Sequence, residues 1–150
     1  RGVFDNRTKF FVWTLPTNGG EALTIIGAVL LGTSLPIAPV QILWINMTTA
    51  ILLGLMLAFE PKEPGVMNRP PRDPKAPLLC PDITKRIGLV SVLLSAGGCG
   101  VFAWLRRWHG ASLEEAQTAA TTVFVIGELF YLFNCRSLTR SMFEIGLFTN

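Results

Sequence analysis

From residue 22 to residue 59 the chain carries no charged side chain at all, a gap of 38 positions bounded by Glu21 and Glu60. A soluble domain of 150 residues cannot hide such a stretch. Soluble chains carry roughly 25% charged residues; here the figure is 15%, while half of all residues are hydrophobic. These proportions exclude a soluble enzyme and a disordered tail. The net charge of +3 is small, and the basic residues sit between apolar runs. That is the arrangement of membrane topology signals rather than of a nucleic-acid-binding face, so no nucleic-acid partner is expected.

A membrane span needs about 20 predominantly apolar residues. Four stretches qualify, at about 10–31, 40–59, 87–105 and 116–133. They are long and do not alternate, which predicts helices and not barrel strands. The expected fold is therefore an all-α integral membrane helical bundle. Gly32, Pro36 and Pro39 break the chain between the first two spans. The connection at 60–86 holds seven prolines, from Pro61 to Pro81. These exclude a regular helix and predict an extended strap, either a plain linker or a docking surface.

Basic residues set the orientation. Arg1, Arg7 and Lys9 precede the first span; Lys62, Arg69, Arg72, Lys75, Lys85 and Arg86 lie in the long connection; Arg136 and Arg140 follow the last span. The first turn has none. Both ends and the long connection are thus expected in the cytoplasm. Arg106 and Arg107 fall on the opposite side, against this rule, with Glu114 and Glu115 close behind and Trp104 and Trp108 suited to an interfacial aromatic belt.

The residues that cost energy in lipid carry the information. Glu21 stands near the middle of its span and Glu128 inside the fourth. An acidic side chain at mid-membrane costs about 2.5–3.5 kcal/mol on insertion scales, and intramembrane ionisable groups are functional by default. Asn18 precedes Glu21 by three positions, Asn46 and Thr49 share that spacing, and Tyr131 and Asn134 follow Glu128 at steps of three. Three spans thus each offer a stripe of oxygen-bearing side chains, the ligand type of hard cations and a possible proton relay. Interhelical hydrogen bonding is the plain alternative for Asn46 and Thr49, as is a protonated, hydrogen-bonded carboxyl for each Glu. Pro16, Gly19 and Gly20 predict either a weakened helix that exposes carbonyl oxygens or a close-packing face. Gly97, Gly98 and Gly100 predict a packing face on the third span, read as scaffold.

Cys80, Cys99 and Cys135 have no metal spacing and their odd number precludes a complete disulfide framework, so structural roles are expected. The chain opens on Arg1 without an initiator Met, no signal peptide is evident, and Phe148-Thr149-Asn150 closely follows apolar sequence. A piece of a longer protein is expected.

The run Asn18-Gly19-Gly20-Glu21, the stretch Pro39-Val40-Gln41-Ile42-Leu43-Trp44-Ile45-Asn46 and the motif Met67-Asn68-Arg69-Pro70-Pro71-Arg72 together resemble the C-terminal membrane region of type II P-type cation-transporting ATPases, which include calcium pumps and their bacterial relatives. The resemblance covers essentially the whole chain and implies helices five to eight of a ten-helix membrane domain. It implies Asn18 and Glu21, Asn46 and Thr49, and Glu128 as cation ligands, metal ligands if the ion is a metal. Calcium pumps of this family place an Asp directly after the Thr; Ala50 stands here. A monovalent ion, a proton or a single divalent ion is therefore favoured over two calcium ions. The resemblance further implies an ion-translocating ATP hydrolase needing ATP and Mg. Its Asp-Lys-Thr-Gly phosphorylation motif does not occur in these 150 residues. Expected partners are the lipid bilayer, the transported cation with protons in exchange, and the rest of the ATPase chain; the expected location is a bacterial plasma membrane. A secondary transporter or channel and a non-catalytic scaffold are the rival classes, the former disfavoured by the lack of a convincing internal repeat.

Overall fold

A computed structural model describes residues 2–59 and 80–136. The motif at 67–72, most of the proline-rich connection, Arg1, Arg140 and the last residues lie outside that description, as does the side chain of Ala50. Five α-helices and one π-helical turn make up the described chain: α1 (Gly2–Leu30), α2 (Pro39–Ile45), the π turn (Asn46–Ala50), α3 (Ile51–Ala58), α4 (Pro81–Trp108) and α5 (Leu113–Cys135). α2, the π turn and α3 follow one another without a break, as one helical passage.

The helix ends follow from local chemistry. α1 closes on Gly32, whose φ of 61° is open to glycine at little cost. The Thr33 amide then bonds the Ala28 carbonyl and the Gly32 amide the Val29 carbonyl, both satisfying carbonyls the helix leaves over. α2 starts with Pro39 in its first turn, where the missing amide hydrogen costs nothing, and Gln41 Oε1 accepts the Ala38 amide at 2.9 Å. α5 opens on a reciprocal cap: the Ser112 amide donates to Glu115 Oε2 at 2.8 Å and the Glu115 amide to Ser112 Oγ at 3.2 Å.

α1 packs along α4, α4 along α5, and the α2–α3 passage crosses α1 and α5. The core falls into two apolar clusters. Ile37, Ile45, Leu94, Phe102 and Phe124 build one; Val12, Trp13, Leu57, Tyr131 and Leu132 build the other. Along α5 and the α2–α3 passage, the polar residues at 128 and at 46 and 49 come between residues of the two clusters, and on α1 Glu21 follows Val12 and Trp13 of the second.

The outer faces are apolar as well. Leu30, Val40, Leu89 and Phe130 are 62–80% exposed, with Leu43, Trp44, Met47 and Leu93 close behind. Water disfavours such a surface and hydrocarbon does not. Among the described residues, three helical stretches are long and apolar enough to cross a membrane by length and composition: Pro39–Ala58, Pro81–Trp108 and Leu113–Cys135. The all-α membrane bundle expected from the sequence is the observed architecture. α1 reaches back beyond Phe10 to Gly2 and so includes Asp5, Arg7 and Lys9.

Candidate functional site

Glu21 and Glu128 are almost wholly buried, at 4% and 2% exposure. They approach the same π turn from different helices. Asn46 Nδ2 donates to Glu21 Oε2 at 2.8 Å, and Thr49 Oγ1 lies 2.7 Å from Glu128 Oε2. Four of the five residues expected from sequence are thus brought to one locus. Asn18 is exposed on α1 and joins none of them through a hydrogen bond in the described structure.

The π turn accounts for the pairing. One extra residue per turn widens the helix and disturbs the regular backbone ladder, an irregularity common at functional sites. Side chains bond backbone oxygens around it. Asn46 Nδ2 also reaches the Ile42 carbonyl at 3.1 Å, Thr48 Oγ1 donates to the Trp44 carbonyl at 2.8 Å, and Thr49 Oγ1 lies 2.7 Å from the Ile45 carbonyl.

Two features of the locus bear on its chemistry. Among the described residues, Glu21 Oε1 is buried without a hydrogen-bond partner, although a buried carboxylate oxygen demands one. Thr49 has a single hydroxyl proton and stands between two oxygens, the Ile45 carbonyl and Glu128 Oε2. Both contacts are hydrogen bonds together only when Glu128 carries a proton and donates it to Thr49 Oγ1. With Glu128 ionised, the hydroxyl serves one acceptor at a time. The set consists of carboxylate, amide and hydroxyl groups, chemistry that suits a hard cation or a proton. Among the described residues no group of three His, Cys, Asp or Glu side chains gathers to hold a metal.

Supporting contacts fix both carboxylates. Pro16 has no amide hydrogen, so the Val12 carbonyl one turn earlier loses its helical partner. Tyr131 Oη donates to that carbonyl at 3.1 Å. One turn away, Trp13 Nε1 donates to the Glu128 carbonyl at 3.1 Å. Ser91 Oγ on α4 donates to the Pro16 carbonyl at 3.0 Å, and Thr24 Oγ1 meets Ser95 Oγ at 3.0 Å. Sequence reasoning placed Tyr131 on the Glu128 stripe but missed Trp13 and Ser91. The one available signal was Pro16, which announces a carbonyl in need of a donor. Of the two roles open to Gly19 and Gly20, close packing is the one observed: α1 stays continuous through them, and a Cβ on Gly19 would stand 2.5 Å from Ser91 Oγ.

The sequence pattern of the family described as "Cation transporting ATPase, C-terminus" matches residues 34–150. The chain belongs to this family. Among cation-transporting ATPases, it is 62% identical over 150 residues to the "Probable cation-transporting ATPase F" of Mycobacterium tuberculosis, which covers 100% of this chain and 16% of that protein. It is 40% identical over 141 residues to the "Cation-transporting ATPase pma1" of Synechocystis, with 94% of this chain and 16% of the relative covered. To the "Calcium-transporting ATPase 1" of Bacillus cereus it is 33% identical over 164 residues, covering 100% and 18%. The chain therefore spans about a sixth of the length of these ATPases, corresponding to C-terminal membrane sequence of the family.

Proposed function

We propose that this chain supplies the cation-binding part of an ATP-driven cation pump, with Glu21, Asn46, Thr49 and Glu128 as ligands at mid-membrane and Asn18 as a ligand from the open side of α1. The carrying observation is the π turn that offers an amide and a hydroxyl to two buried carboxylates on two other helices. The names of the relatives support ATP-driven transport. The ATP and Mg chemistry would belong to other parts of such a pump. The single-proton geometry at Thr49 supports protons as the exchanged ion, since Glu128 can hold one against the hydroxyl when the cation leaves. Ala50 removes the carboxylate that would serve a second calcium ion, so a monovalent ion or one divalent ion is favoured. With four spans, the distribution of basic residues supports both ends of the chain lying on the cytoplasmic side of a bacterial plasma membrane. A secondary transporter or a passive scaffold would leave the likeness to ATPases without cause.

The test uses the full-length protein. Glu21→Gln and Glu128→Gln each remove one charged ligand, and each should raise the cation concentration for half-maximal phosphorylation at least about tenfold, equivalent to roughly 1.4 kcal/mol. Unchanged ion dependence in both variants would sink the assignment.

A further inference from the structure

A groove of about 370 Å³ runs between α1 and α4, away from the carboxylates. Leu23, Gly27 and Ala28 form one wall, and Cys99, Phe102 and Ala103 much of the other. Thr33 and Ser34 close one end together with Arg106 and Arg107. The groove is thus apolar along its length and cationic with hydroxyls at its mouth, the shape and polarity of an acyl chain below a phosphate.

The arginines need a reason to be there. The basic residues elsewhere cluster at the opposite end of the helices, so this pair does not serve the topology rule. Among the described residues neither arginine forms an ion pair. Of the two acidic residues that next follow them in the chain, Glu115 is committed to the Ser112 cap. Arg106 gives one hydrogen bond to the Ala111 carbonyl at 3.0 Å, and a guanidinium has five donors. Trp104 and Trp108, 50% and 75% exposed beside them, fit the headgroup level of a bilayer, which sets the arginines at the depth of lipid phosphates. Basic pockets between membrane helices bind anionic headgroups on this principle.

We infer that the α1–α4 groove is a binding site for an anionic phospholipid, one acyl chain lying against Leu23, Gly27 and Phe102 and the headgroup held by Arg106 and Arg107. The full-length protein would be placed in phosphatidylcholine nanodiscs with a trace of diazirine-tailed lipid, either phosphatidylglycerol or phosphatidylcholine, then irradiated and mapped by peptide mass. The phosphatidylglycerol probe should give adducts within 23–31 and 95–103 well above the phosphatidylcholine probe. Arg106→Gln and Arg107→Gln should each lower that ratio about five-fold, and together about twenty-five-fold. Arg106→Lys with Arg107→Lys should keep most of it, and Lys85→Gln at the far end of α4 should keep all of it. Because the ratio is taken within one protein, partial misfolding does not mimic the effect. Equal yields from the two probes, an undiminished ratio in the double Gln variant, an equal fall with Lys85→Gln, or no adduct because other parts of the pump fill the groove would each overturn the inference.

Discussion

Tyr131 and Pro16 show how a single atom sets the local economy of the bundle. The hydroxyl takes the place of the amide hydrogen that proline lacks, at the carbonyl of Val12. Tyr131→Phe leaves that carbonyl buried and unbonded, at a cost of about 1–3 kcal/mol, visible as a lowered unfolding temperature of the purified full-length protein. Pro16→Ala restores the backbone donor, so the same Tyr131→Phe change in that background should cost less than about 0.5 kcal/mol. Equal losses in both backgrounds would show that the hydroxyl does not stand in for the amide. At this scale the sequence was legible where lipid makes polarity expensive: Glu21, Asn46, Thr49 and Glu128 stand out for that reason alone, and they meet. Asn18 shows the limit of spacing arguments. Three residues turn a helix through about 300°, and that 60° offset is enough to bury Glu21 while leaving Asn18 exposed.

Elements depend on contacts that a periodic pattern does not encode. The Gly97–Gly98–Gly100 run predicted a packing face on α4, and the three positions prove unequal. A Cβ at Gly98 would stand 2.5 Å from the Phe124 ring, one at Gly97 would be in ordinary contact with Val123 at 3.4 Å, and one at Gly100 would meet nothing within 4 Å. Gly98→Ala should therefore destabilise the α4–α5 pair by about 1–3 kcal/mol through overpacking, measured as thermal unfolding in detergent, with partial recovery on Phe124→Leu. Gly100→Ala should stay within about 0.5 kcal/mol. The reciprocal cap of α5, Ser112-Leu113-Glu114-Glu115, came from the structure, and it starts the helix at Leu113, ahead of the expected 116. The π turn was not legible in the sequence either, because one residue more in a helical passage leaves no mark on composition. The breakers at Pro16, Gly19 and Gly20 drew the expectation of an irregular helix toward α1, yet that helix runs continuously through them, with donors from α4 and α5 at the Pro16 and Val12 carbonyls.

The described residues have a polar middle between two apolar clusters and an apolar exterior, so hydrocarbon suits their outer faces better than water. The proposed four-span topology makes a direct prediction. A cysteine at Ser112, in a variant without native cysteines, should react with a membrane-impermeant maleimide in intact cells. Cys80, kept as the single cysteine, should react only in inverted vesicles. Labelling of both positions from one side would refute it. Fold class was legible because the charge gap leaves so few alternatives. The role of Asn18 was not, since among the described residues its exposed side chain meets none of the other candidate ligands. The proline in the first helix and the tyrosine in the last, far apart in the chain, also constrain how such a sequence can diverge. A lineage that first exchanges Pro16 regains its amide and may then lose the Tyr131 hydroxyl freely. A lineage that loses the hydroxyl first must pass through an unpaired carbonyl. Exchange of Pro16 before Tyr131 is thus the less costly order of change, set by one hydrogen bond.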